Sequence, residues 1–143
     1  MEIKQLTEIT PEVMAAFGRL IPQLAPGCLP PTAEEMEKII HSGSTLIFIA
    51  TRNGEIVGTL TLVVYRLMTG TKAWIEDVVV DTAMRGRGIG KLLTQHAIGY
   101  ATGAGIAKID LTSSPSRIEA NALYQRIGFV KRETNVYRYE PGE

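Results

Sequence analysis

The chain has 143 residues, 45% of them hydrophobic and 21% charged, a length and composition that predict one domain over 1–143 with a buried core. Fifteen basic residues balance fifteen acidic ones, six against seven in 1–72 and nine against eight in 73–143, which disfavours a bulk electrostatic grip on nucleic acid or an anionic membrane. Cys28 is the sole cysteine, so no intrachain disulfide forms, and with only His41 and His96 beside it no Cys/His metal site is expected.

In chain order, Glu2–Thr7 reads as a weak short strand. Thr10-Pro11-Glu12 is a helix start, with a capping hydroxyl, a proline in the first turn and an acid at the positive end of the dipole. Val13, Phe17, Leu20, Ile21 and Leu24 follow at helical spacing, and Pro22 is expected to bend or end that helix. Pro26–Pro31 is a loop. Thr32 with Glu35 forms a capping box and opens a second helix through Met36, Ile39 and Ile40. Thr45–Thr51 is a strand, Asn53-Gly54 a hairpin turn, and Glu55–Leu67 a long strand in which Gly58 signals a bulge or a close backbone approach. A turn over Thr69–Lys72 leads to a third long strand, Ala73–Val80.

Asp81–Gly90 is polar and glycine-rich. Lys91–Thr102 is an amphipathic helix, Ala107–Thr112 a strand, and Arg117–Ile127 a helix ended by Gly128. Phe129–Lys131 and Val136–Tyr139 read as closing strands. The expected fold class is α+β (mixed α/β): a central mixed sheet of 6–7 strands, an antiparallel meander followed by βαβ, flanked by about four helices.

The segment Val78–Leu93 carries the chemistry. A strand runs through a glycine-rich turn into a helix, which is the geometry of a phosphate cradle: glycines let an anion approach, and free N–H groups of the first turn point at it. A P-loop is excluded, because Arg85 stands where the first glycine belongs and Leu92 where the magnesium-binding hydroxyl belongs. A dinucleotide-binding turn is excluded, because Lys91 replaces the third glycine.

What remains is Arg85-x-x-Gly88-x-Gly90, which resembles the acyl-CoA motif Q/R-x-x-G-x-G/A of the GNAT (GCN5-related N-acetyltransferase) family. Asn121-Ala122-Leu123-Tyr124-Gln125-Arg126-Ile127-Gly128-Phe129 is similar to that family's second motif, N-x-x-x-Y/L-Y-x-x-x-G-F. Together the two cover 74–139, and the Asn53-Gly54 hairpin and N-terminal helix pair suit the rest of the family's acyl-CoA N-acyltransferase fold.

The resemblance implies roles. Arg85, Gly86, Arg87, Gly88, Ile89, Gly90 and Lys91 would cradle the pyrophosphate of acetyl-CoA, mostly through main-chain N–H groups. Val78, Val79 and Val80 would bond the pantetheine arm along a strand edge splayed from the next strand. Asn121 would bond the same arm, and the Ser114 main chain would touch the cofactor. Tyr124 would protonate the departing thiolate, a step open to a phenol at neutral pH.

Glu76 and Asp77 lie inside an apolar strand, where a carboxylate is costly unless paired or used. Alternation places Glu76 on the face of Trp74, Val78 and Val80, and Asp77 on the opposite face. Glu76 is the candidate base that neutralises the amine. A structural hydrogen bond and an anchor for a substrate cation stay open for it, and Asp77 is the weaker candidate. Arg117 reads as a phosphate contact or a surface arginine. Cys28 has no base beside it in sequence, and the serines at 113, 114 and 116 lack a nucleophile elbow.

The reading is thus an acyl-CoA-dependent N-acetyltransferase using acetyl-CoA as co-substrate and no metal. The rival is a non-catalytic acyl-CoA-binding regulatory domain, which would need the cradle but not Glu76 and Tyr124 together. The expected partner is a small-molecule or peptide amine, with no nucleic acid and no membrane; a homodimer stays open. No stretch approaches the ~20 apolar residues of a membrane span, and the N-terminus lacks a signal-peptide pattern, so a cytoplasmic location is expected.

Overall fold

The computed structural model describes residues 1–142. Its contacts fall into two units, Met1–Thr112 and a second from Ser113 onward.

In the first unit, strands β1 (Glu2–Gln5), β2 (Thr45–Arg52), β3 (Glu55–Leu67), β4 (Gly70–Val80) and β5 (Ile109–Asp110) form one sheet in that order. The first three pairings are antiparallel and β4 pairs β5 in parallel. The meander followed by a crossover is as expected. Among the described residues the strand count is five rather than six or seven.

Helix α1 (Pro11–Leu24) starts where Thr10 Oγ1 accepts from the Val13 N–H at 3.2 Å. Pro22 does not break it. The proline sits in the last turn and the helix runs two residues past it. Helix α2 (Ala33–Ile40) opens on the full Thr32–Glu35 capping box. Helix α3 (Ile89–Gly103) begins two residues earlier than its apolar spacing suggests.

The sheet has a helix layer on each face, because adjacent β2 residues point opposite ways. Ile47 and Ile49 join a core with Val13, Phe17, Leu20 and Met36 of α1 and α2. Phe48, between them, meets α3, its ring 4.9 Å from His96 and 5.8 Å from Tyr100. Gly58 of β3 is where α3 comes closest. A Cβ there would stand 3.3 Å from Ile89 Cγ2, Leu93 Cδ1 and the Val79 carbonyl, so the glycine seats the start of α3 beside the end of β4.

The second unit holds α4 (Ile118–Ile127), ended by Gly128 at φ +126°. The expected strands Phe129–Lys131 and Val136–Tyr139 are not formed; both segments are irregular, with Val130, Val136, Tyr137 and Tyr139 exposed. β-branched and aromatic residues favour a strand only where a neighbour supplies a ladder, and these segments have none. For the same reason Ala107–Thr112 shrinks to Ile109–Asp110, and β4 starts at Gly70 because β3 continues its ladder across the expected Thr69–Lys72 turn.

Candidate active site

β4 changes character along its length. Ala73 and Trp74 pair with β3 on one side and with Ile109 and Asp110 on the other. Beyond Trp74 the β5 ladder stops, so among the described residues Ile75–Val80 have a strand partner only on the β3 side. Val78, Val79 and Val80, expected to lie on a splayed edge, accordingly have no β5 ladder among the described residues.

A bulge sits in this second length. Thr61 faces Glu76 and Thr59 faces Val79, so Asp77 and Val78 together stand opposite Leu60. Asp77 takes φ +51°, a left-handed value unusual for a residue other than glycine, though least so for Asp and Asn. The extra residue reverses the alternation after it. Glu76 thus shares a face with Trp74 and Val79, not with Val78 and Val80 as simple alternation has it. Asp77 stands with Val78 opposite Leu60, and Glu76 and Asp77 are both among the residues that line one pocket.

That pocket, of about 300 Å³, lies between the sheet and the α1–α2 pair. Phe17, Ile21, Pro31, Met36 and Ile39 form its helix side, and Thr45, Ile47, Thr59, Thr61 and Val63 its sheet side. Glu76 and Asp77 are both exposed to it.

At the end of β4, Asp81 caps a short 3₁₀ turn over Thr82–Met84, accepting from the Ala83 N–H at 3.1 Å. That bond, with the Arg19 guanidinium 3.1 Å away, holds the Asp81 carboxyl below its usual range against the opposing effect of burial. Arg19 also donates to the Ile56 carbonyl at 2.9 Å, and Gln23 accepts from the Thr82 N–H at 2.9 Å. Helix α1 is thereby bolted to the β4 exit. Sequence reading missed Arg19 and Gln23; the available signal was that Arg19 is the single basic residue of α1.

The glycine loop follows. Gly86 and Gly88 have φ of +79° and +77°, which side-chain-bearing residues rarely adopt, and a Cβ at either would meet nothing within 4 Å. The space above the loop is open. Gly88 is the N-cap of α3 and supplies no side-chain cap, and the first intrahelical bond is Leu92 N–H to the Gly88 carbonyl at 3.1 Å. Ile89, Gly90 and Lys91 consequently keep N–H groups without helical partners. Arg85, Arg87 and Lys91 are exposed around them, with Arg85 Nε donating to the Val80 carbonyl at 3.4 Å. Three cations and an open helix start suit a pyrophosphate chemically.

In the second unit, Tyr124 is 7% exposed and stacks edge-on against Phe129 at 5.8 Å. Burial raises its phenol above the ordinary 10.0, with Arg117 pulling slightly the other way. Asn121 Nδ2 donates to the Ser114 carbonyl at 3.0 Å, which leaves Oδ1 of the amide free of hydrogen bonds among the described residues. Cys28 is exposed, with its thiol directed at the Leu29 carbonyl at 3.6 Å. Among the described residues no helix is long and apolar enough to cross a membrane, and no group of three or more His, Cys, Asp or Glu is gathered to hold a metal.

Comparison with known proteins agrees with this geometry. Residues 14–129 match the model of the acetyltransferase (GNAT) family. Glucosamine 6-phosphate N-acetyltransferase 1 of Oryza sativa subsp. japonica is 29% identical over 90% of this chain and 81% of its own. A putative acetyltransferase from Agrobacterium tumefaciens str. C58 superposes with a TM-score of 0.87 at 28% identity, covering 98% of this chain and all of that one. An aminoglycoside N-acetyltransferase, AAC(6')-Iy, solved in complex with CoA, shares the fold with a TM-score of 0.81 at 21% identity, over 97% of this chain and 93% of its own. The chain belongs to the GNAT family and is an acyl-CoA-dependent N-acetyltransferase.

Proposed function

We propose that the chain moves an acetyl group from acetyl-CoA to a primary amine by direct attack, with both substrates bound at once. The observation that carries this is the second length of β4. One continuous stretch has an edge without a β5 ladder, two acidic residues that line a pocket, and a glycine loop with unsatisfied N–H donors at its end.

In this reading the loop 85–91 binds the pyrophosphate and the edge Val78–Val80 receives the pantetheine amides. Acetyl-CoA supplies an activated thioester. Glu76, directly or through a water, takes the proton that keeps the amine from attacking. A main-chain N–H near Val78–Val79 faces the oxyanion. Tyr124 returns a proton to the thiolate, and its buried phenol stays protonated well beyond neutral pH. Asn121 and Ser114 would add contacts to the arm.

The test is calorimetric titration with acetyl-CoA, with CoA and ATP as controls, followed by thiol release with an amine panel. Micromolar binding of acetyl-CoA, much weaker ATP, and turnover lost in Tyr124→Phe while binding persists are expected. Absence of acetyl-CoA binding in folded protein would sink the assignment. Binding without turnover of any amine would favour the regulatory reading.

A further inference from the structure

We infer that the acceptor is an amine on an apolar alkyl or aromatic body carrying no phosphate or carboxylate, and that Asp77 selects it. This rests on the reading that the pocket beneath α1 and α2 receives the acceptor. Phe17, Ile21, Met36, Ile39, Ile47 and Val63 supply apolar wall, and Pro31 closes it at the helix loop. Three threonines add hydroxyls. Among the described residues the only charged ones that line it are Glu76 and Asp77, and no Lys, Arg or His does.

An anionic group brought into such a space meets two carboxylates and no cation, so like-charge repulsion and desolvation both oppose it. An ammonium on an apolar body meets the reverse: carboxylates for the charge and a dry wall for the rest. Among the described residues neither Glu76 nor Asp77 makes an ion pair or a side-chain hydrogen bond, so nothing internal neutralises them. The rice relative is named for an acceptor that carries a phosphate. The pocket of this chain offers no cation to such a phosphate among the described residues.

The roles of the two carboxylates then divide. Glu76, in register with Thr61, serves the proton transfer. Asp77, which lines the same pocket at the bulge with φ +51°, holds the incoming cation. A left-handed aspartate inside a strand costs backbone strain, which a plain structural turn would relieve with glycine.

Initial rates of thiol release from acetyl-CoA test this, with 2-phenylethylamine, hexylamine, glucosamine and glucosamine 6-phosphate as acceptors. The apolar amines are expected to exceed glucosamine 6-phosphate in kcat/KM by more than about tenfold. Asp77→Asn, which tolerates the same φ, should raise KM for 2-phenylethylamine about tenfold with kcat nearly unchanged, and narrow the gap to the phosphate ester. Asp77→Gly, which also accepts that φ, is the second variant and should behave alike. Equal or better turnover of glucosamine 6-phosphate, no turnover of either apolar amine, or an unchanged KM in both variants overturns the inference. Calorimetry with acetyl-CoA separates the levels. If acetyl-CoA fails to bind, the proposed function falls; if it binds and the phosphate ester is preferred, only the acceptor class does.

Discussion

The two lengths of β4 make opposite use of the same secondary structure. Ala73, Trp74 and Ile75 are held by ladders and packing: Ala73 and Ile75 are buried, and Ala73 has partners on both edges. Glu76–Val80 keep one ladder, carry a bulge, and expose two carboxylates. The first length is held by ladders or by burial and serves stability. The second leaves donors and acceptors for a ligand. The helix starts repeat the contrast. Thr10 and Thr32 close the first turns of α1 and α2 with their own side chains, whereas α3 begins at a glycine with none.

Substitutions should separate the two lengths. The largest effect is expected for Glu76→Gln in the second one. Loss of the base should lower kcat by about 10²–10⁴ with melting temperature and acetyl-CoA affinity unchanged, read by thiol release and calorimetry. Ile75→Ala, one residue earlier, should do the reverse: about 2–4 kcal/mol of stability lost in denaturant unfolding, with acetyl-CoA affinity of the folded protein retained. Comparable damage to kcat by both would break the division. Gly88→Ala should weaken acetyl-CoA about tenfold, because φ +77° is strained for alanine and the loop must shift, while unfolding free energy falls by only about 1 kcal/mol. The smallest effect is a pH dependence. Asp81 has a depressed folded pKa, so its contribution is present above its ordinary 3.8 and is lost as pH falls through the lower folded value. Stability in acid should therefore drop below about pH 4, and Asp81→Asn should flatten that limb in a pH series of thermal melts.

The candidate site was half legible in the chain. The glycine loop announces itself because its determinants are local: Gly86 and Gly88 need positive φ, and the helix they open has its donors within one turn. The threonine caps, the Asn53-Gly54 hairpin and the close approach at Gly58 were readable for the same reason. The bulge was not, since it exists only in the pairing of Asp77 and Val78 with Leu60 of another strand, and alternation misplaced Val78 and Val80 relative to Glu76 without it. The bolts from Arg19 and Gln23 to Asp81 and Thr82 span 62 and 59 residues. No local pattern connects residues that far apart.

By itself the sequence determined the helices, the β2–β3 hairpin, the glycine loop and the family, because each is written in neighbouring residues through spacing, caps and glycines. Only the tertiary structure decided where β4 stops pairing with β5, which strand-prone segments find a ladder, and that two carboxylates and no cation share one apolar pocket. Those outcomes depend on partners distant in the chain. A ladder, a bulge or a pocket lining is a property of two or more segments, and neither one encodes it alone.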